Sequence, residues 1–252
     1  MKQNYDPTSF FDFLDFGPVK TYACDGLRTL AVYCRGNCEQ MEKLLEPTPF
    51  TLADDRFVVS VADFANIRAL TGRPSYPYFD AAIVLPVEIN GERGGNYYFE
   101  WEDSHVSVAS GRELWGYPKR FAKIALNEIE GGLHAKTWDY EKPVFDIDFT
   151  FDDSVTGENW NDVAMAPHFQ VRAVPEVDGP GFESFKVISR DAGQDFELLS
   201  KHRGRATVEF GPEIQVADEP FEIVEVLGAE YTVGNYVSSQ ENGIPRIVAS
   251  FV

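Results

Sequence analysis

The sequence predicts a mainly β (α+β) fold with a mostly antiparallel sheet and a few packed helices. Three observations carry that reading. Apolar residues alternate with period two over many short runs, turn dipeptides separate the runs, and only two stretches show helical spacing. The alternating runs are 27–34 (LRTLAVYC), 56–61 (RFVVSV), 81–89, 96–101 and 143–151 (PVFDIDFTF), followed by 169–174, 185–189, 206–210, 221–233 and 244–251. Asn90-Gly91, Asp178-Gly179 and Asn242-Gly243 supply turns between them. About ten strands at this spacing suit one antiparallel sheet or barrel. No Ser/Gly/Pro-rich linker and no internal repeat divides the chain, so residues 1–252 read as a single domain.

Two stretches break the alternation. In 37–45 (NCEQMEKLL), Cys38, Met41, Leu44 and Leu45 fall at helical spacing, Asn37 is placed to cap the first turn, and Pro47 stops the run. In 103–115 (DSHVSVASGRELW), Val106 and Val108 alternate as in a strand. Asp103 or Ser104 as cap, and Gly116 followed by Pro118 as stop, favour a helix.

Lys and Arg number 22 against 41 Asp and Glu, a net charge of −19. A field of that sign repels polyanions, so neither nucleic acid nor an anionic membrane is expected as a partner. The 14% aromatic content supplies a core that a disordered acidic chain lacks. The N-terminal residues have neither the apolar centre nor the cleavage site of a secretory signal, and no run reaches the ~20 apolar residues of a membrane span; a cytoplasmic protein is expected. The Phe-rich stretch 10–16 could cap the core or pack on a neighbouring copy.

Cys24, Cys34 and Cys38 lack the partners of a zinc site and read as buried or free thiols. His105, His134, His168 and His202 show no metal-ligand spacing, and the Asp146–Asp153 run has Phe151 where a calcium loop needs glycine. A Gly-x-Ser-x-Gly elbow and Gly-rich phosphate loops are missing. No metal is expected.

The segment 111–122 (GRELWGYPKRFA) places Lys119 after a helix stop and an X-Pro step, at the start of an alternating strand. Taken bare, such a lysine is a solvated surface residue. The segment, however, resembles the signature of the acetoacetate decarboxylase superfamily, in which a Gly-Arg-Glu triplet, an aromatic-Pro step and a Schiff-base lysine come in this order. The resemblance extends to 86–91 (PVEING), to 167–172 (PHFQVR) and on through Pro175 to Asp178-Gly179, and to Gly17-Pro18, so it covers most of the chain. It implies a β-barrel or cone with packed helices, a homo-oligomer and a small-molecule keto acid as substrate. No separate cofactor is implied, because the covalent Schiff base forms on Lys119.

A lysine attacks a ketone only as the neutral amine, so its pKa must fall well below the ordinary value of about 10.4. Burial does this by penalising the ammonium, and the superfamily is a standing example of a lysine so activated. Trp115, Tyr117 and Phe121 are the wall material, and desolvation by them is the expected cause. Tyr98, with Tyr97 and Glu100 beside it, is a further candidate for the pocket wall, although core or surface filler is the plainer reading of that strand. Arg120 should point to the opposite face.

The resemblance also implies two glutamates and an arginine near the lysine. Ungapped alignment puts Asp80 at the place of one glutamate and Val58 at that of the other. Asp55 and Asp63 could stand in for the second only after a register slip, which would reverse every side chain's face. Arg28 lies within one residue of the arginine's place and is the candidate carboxylate clamp, with a solvent-facing strand residue as its alternative. Arg112 and Glu113 are expected to support Lys119's backbone, Ser110 and Glu113 having capping-box spacing. The expected enzyme is a carbon–carbon lyase that decarboxylates a β-keto acid, with Asp80 in proton transfer. Two alternatives stand beside it. One is aldol condensation with dehydration, or cyclisation, from pyruvate or another 2-oxo acid, which the missing glutamate at Val58 favours. The other is a binding module without turnover.

Overall fold

The computed structural model describes residues 22–70, 75–191, 193, 195–238 and 245–252. Gly17-Pro18, the stretch 10–16 and the Asn242-Gly243 turn lie outside them. The chain opens with β1 (Tyr22–Gly36), α1 (Cys38–Leu45), β2 (Thr51–Leu52), β3 (Arg56–Phe64) and β4 (Ile67–Ala69). Next come β5 (Tyr78–Ile89), β6 (Glu92–Glu102), α2 (His105–Trp115) and β7 (Lys119–Phe121). Three strands follow in a meander, β8 (Lys123–Ile129), β9 (Gly132–Asp139) and β10 (Lys142–Phe151), then β11 (His168–Pro175) and β12 (Phe182–Arg190). β13 (Glu197–Phe210), the short pair β14 (Gln215–Val216) and β15 (Glu219–Pro220), β16 (Ile223–Ser238) and β17 (Arg246–Ser250) complete it.

Fifteen strands join in one sheet along the path β17-β12-β11-β6-β5-β3-β1-β16-β13-β10-β9-β8, with β2, β4 and β7 attached to its side. Every neighbouring pair is antiparallel except β6 with β11 and β6 with β7. The path does not close, but the edge strand β8 folds back against β3 and β5. The result is a cone-like wrap around a core of Leu30, Phe57, Ile83, Trp101, Phe145 and Phe149.

Both expected helices form where their signals lie. Asn37 caps α1 by accepting from the Gln40 amide, and Ser104, not Asp103, caps α2 by accepting from Ser107. Asp103 instead accepts from the Phe79 amide. Ser110 lies inside α2, its hydroxyl bonded to the Ser107 carbonyl, so its spacing to Glu113 is not a capping box. Asn90 and Gly91 turn β5 into β6 with both residues at positive φ, 54° and 79°. The β8–β9 hairpin was not among the expected runs, although β9 alternates cleanly and Gly131 marks its turn.

One stretch of sheet positions the functional side chains. Cross-strand pairing puts Thr29 (β1), Ala62 (β3), Asp80 (β5) and Glu102 (β6) in one row. The adjacent row is Ser60, Ala82, Glu100 and, through the parallel pairing of β7, Lys119. Charged residues fill one end of both rows. Small ones fill the other, which leaves a hollow above them.

Candidate active site

The hollow is a cavity of about 640 Å³, within the range of small-molecule pockets. Lys119, only 9% exposed, reaches into it. Its Nζ lies 2.9 Å from Glu100 Oε1 and 3.3 Å from Asp80 Oδ2, and it contacts Glu102 Oε1. The Tyr117 ring stands 5.2 Å from the same nitrogen.

Local sequence explains how the lysine gets there. Gly116 ends α2 in the left-handed conformation (φ 70°), and a Cβ there would meet the Val171 carbonyl at 2.7 Å. The chain then turns into β7 alongside β6. Arg112 Nη1 donates to the Lys119 carbonyl at 3.2 Å, and the Glu113 carbonyl accepts from Arg172 Nε at 3.1 Å. The Glu113 side chain is exposed. Gly111 faces the lysine stem so closely that a methyl there would overlap Cδ and Cε of Lys119. Two signature residues, Gly111 and Arg112, and the helix stop Gly116 thus shape the approach of Lys119.

Electrostatics at the amine differ from expectation. Burial by itself would lower the Lys119 pKa, but the charges of Glu100, Glu102 and Asp80 outweigh it and hold the ammonium well above the ordinary lysine range. The glutamates respond in the opposite sense. Burial pushes Glu100, 3% exposed, well above the usual carboxylate range, and pushes Glu102 up to about 7, both against the pull of Lys119. Among the described residues, Asp80, Glu100 and Glu102 are the one group whose ligand atoms lie close enough to share a metal ion, within 4.8 Å. The Lys119 ammonium touches all three and supplies that positive charge.

The expected residues divide. Asp80, Trp115, Tyr117 and Lys119 line the cavity together. Arg28 does not. Leu27 and Thr29 on either side of it line the cavity, so alternation turns Arg28 to the other face, where it pairs with Asp63, its cross-strand neighbour, and with Glu128 at 3.3 Å. The same pairing removes Asp63 as a substitute glutamate, and Asp55 pairs with Arg35. Val58 packs with Trp160 and Val163. Phe121 is 46% exposed, its ring stacked 4.1 Å from that of His105, outside the cavity. Arg120, as alternation requires, points away and pairs with Asp139 and Glu213.

Tyr98 gives way to Tyr97. Ile83 pairs with Phe99 and Val84 with Tyr97, so Tyr98 is the extra residue of a β-bulge and packs on Phe99 and the main core. The bulge reverses the alternation of β6, placing Tyr97, Glu100 and Glu102 on one wall. A strict period-two reading cannot find that set.

Three further cavity residues went unassigned in sequence. Glu102 ends β6 and contacts the Lys119 amine. His168 bridges two phenols, with Tyr117 Oη 2.8 Å from Nδ1 and Tyr97 Oη 3.4 Å from Nε2, and burial pushes its pKa down to about 3, so the ring is neutral. Arg190, at the end of β12 and opposite His168, is 7% exposed. Its Nη2 donates to the hydroxyls of Tyr22 (2.7 Å) and Ser238 (3.0 Å), and its guanidinium rests 5.3 Å from the Trp115 ring.

Comparison with known proteins places this geometry among relatives. A family model described as acetoacetate decarboxylase (ADC) matches residues 16–240. An acetoacetate decarboxylase of Burkholderia cenocepacia is 34% identical over 173 residues, covering 62% of this chain and 65% of that protein, so the chain spans just under two thirds of the relative's length. The crystal structure of an acetoacetate decarboxylase from Legionella pneumophila superposes with a TM-score of 0.77 at 18% identity, over 92% of this chain and 88% of that one. The enduracididine biosynthesis enzyme MppR, solved with pyruvate, superposes with a TM-score of 0.67 at 16% identity, over 91% and 90%. At these identities the two superpositions speak to the fold.

Proposed function

The chain belongs to the acetoacetate decarboxylase family, and from that premise we propose that it forms a Schiff base through Lys119 with a β-keto acid and releases carbon dioxide. The observation that carries the reading is a buried amine in contact with Asp80, Glu100 and Glu102 at the floor of a cavity. Glu102, with its carboxyl pushed up to about 7, takes the proton from the ammonium; because the carboxylates hold that proton on Lys119, the neutral amine is a minor species drawn off by its addition to the ketone. The freed lone pair adds to the ketone carbon, and the proton on Glu102 goes to the departing hydroxyl, which leaves as water. The iminium accepts the electron pair of the carbon–carbon bond as carbon dioxide departs. The resulting enamine carbon is protonated by Glu100, whose carboxyl burial pushes well above the usual carboxylate range, and solvent returns a proton to Glu100. Water then hydrolyses the iminium and returns the amine.

Borohydride reduction in the presence of acetoacetate, followed by peptide mass spectrometry, is expected to leave the adduct on Lys119, and Lys119→Ala is expected to abolish both adduct and carbon dioxide release. Release that persists undiminished in that variant would remove Lys119 as the nucleophile. The second reading, condensation of the enamine with an aldehyde, is favoured by the cavity's extension past the amine along Leu27, Thr29, Ala62 and Phe64. Formation of a condensation product from pyruvate and an added aldehyde, with no carbon dioxide from any β-keto acid, would select it.

A further inference from the structure

We propose that the substrate is a β-keto acid whose ketone carries a bulky apolar group of aryl size, seated on the wall that Ala62 and Phe64 form beside the amine; the proposal rests on the Schiff-base reading of Lys119. A cavity of about 640 Å³ has the size that encloses a drug-sized ligand. Acetoacetate would leave most of it to water. In this reading the extension along Ala62 and Phe64 holds the acid's own apolar end.

Strand register gives that end its place. Lys119 Nζ lies 3.3 Å from Asp80 Oδ2, and Ala62 on β3 is the cross-strand partner of Asp80. Thr29 on β1 is in turn the partner of Ala62, so these two cavity residues stand one and two strands from Asp80, about 5 Å and about 10 Å along one row. With only a methyl at Ala62, the row leaves room directly beside the carboxylate that meets the amine. Two residues further along the same strands and on the same face, Phe64 pairs with Tyr78, and their rings stack 4.6 Å apart at 12°. Tyr236 meets the Phe64 ring edge-on at 6.3 Å, and all three rings line the cavity. Such ring faces and edges suit an aromatic or other flat apolar group. Its burial acts alike on ground state and transition state, so it raises kcat/KM through KM and leaves kcat to the chemistry at Lys119. The apolar group takes no part in the bond changes, which are those of the smaller acid.

The test compares 3-oxo-5-phenylpentanoic acid with acetoacetate in the wild-type protein. Burying a phenyl group is worth about 10- to 100-fold in kcat/KM. The phenyl acid is expected to be preferred by that factor, mainly through KM. Ala62→Leu, which fills the hollow, is expected to bring the ratio to one or below, and Phe64→Ala, which removes a ring from the same wall, is expected to lower it by less. Equal kcat/KM for the two acids, or a preference for acetoacetate, with acetoacetate trapped on Lys119 by borohydride, overturns this proposal and leaves the Schiff-base reading standing. A preference for the phenyl acid that both variants leave intact overturns the seat assigned to the apolar group. If neither acid is trapped on Lys119, the Schiff-base reading falls and this proposal with it. Because the deciding comparison is made in the wild-type protein, misfolding of a variant cannot blur it.

Discussion

Lys119, Asp80, Glu100 and Glu102 bring one formal positive and three formal negative charges into a buried volume. Water cannot screen them there, so burial raises the proton affinity of both glutamates while their charges raise that of Lys119. Glu102 is faced by Lys119 from β7, Asp80 and Tyr78 from β5, Glu100 from its own strand and Ser107 from α2. As the acceptor of the lysine's proton it must be ionised. Turnover is therefore expected to fall as pH drops through about 7, the value to which burial pushes its carboxyl. A pH profile of kcat checks this, and Glu102→Gln is expected to remove that limb and lower kcat by about 10²- to 10⁴-fold. A limb near 7 that survives in Glu102→Gln would contradict the assignment. His168, pushed down to about 3, is neutral on both sides of this limb, so His168→Asn is expected to leave its midpoint in place. At this scale Lys119 and Asp80 were legible from motif and alignment. Glu102 and Arg190 were not, since nothing local distinguishes a carboxylate beside a helix cap, or an arginine ending a strand, from a solvated one.

The unit β6–α2–β7 converts sequence proximity into geometry. Its parallel return places Lys119 beside Glu100, seventeen positions after Glu102, and Trp101 anchors the strand by pointing into the core between the two glutamates. Gly111 is expected to reveal how tightly this unit is tuned. The nearest atoms to a methyl in Gly111→Ala belong to the flexible lysine stem, so the stem shifts while the backbone need not. Displacement of a reacting group by about 1 Å costs on the order of 10²-fold in rate. A drop of that size in kcat/KM with little change in Tm is the expected result, and wild-type activity would refute it. Gly116→Ala differs, because its Cβ meets backbone and its φ is positive; the loss there is expected in Tm. Ser104→Ala is expected to destabilise by about 0.5–2 kcal/mol through loss of the α2 cap, as measured by denaturant unfolding. The caps and stops were readable because each depends on residues within one turn. The bulge at Tyr98 was not, because it depends on the partner strand's register.

Across the whole molecule, the charge of −19 opposes the approach of an anionic substrate. The Debye length shrinks from about 30 Å at 0.01 M salt to about 8 Å at 0.15 M, so the opposition weakens with salt. For a keto acid substrate, kcat/KM is expected to rise several-fold over that range, and a steady fall would show that the local field of Arg190 and Lys119 governs approach instead. No helix among the described residues is long and apolar enough to cross a membrane. The sequence by itself determined the β-rich fold, its two capped helices and the lysine of the signature, because alternation, capping and chain turns are set by neighbours along the chain. Only the tertiary structure decided which side chains meet that lysine. Strand register and one bulge choose the face of every residue, turning Arg28 and Tyr98 away and bringing Glu100, Glu102 and Arg190 in. The sign of the lysine's pKa shift follows from that choice, since it depends on charges that converge from β5, β6 and β7 and not on the aromatic residues beside it in sequence.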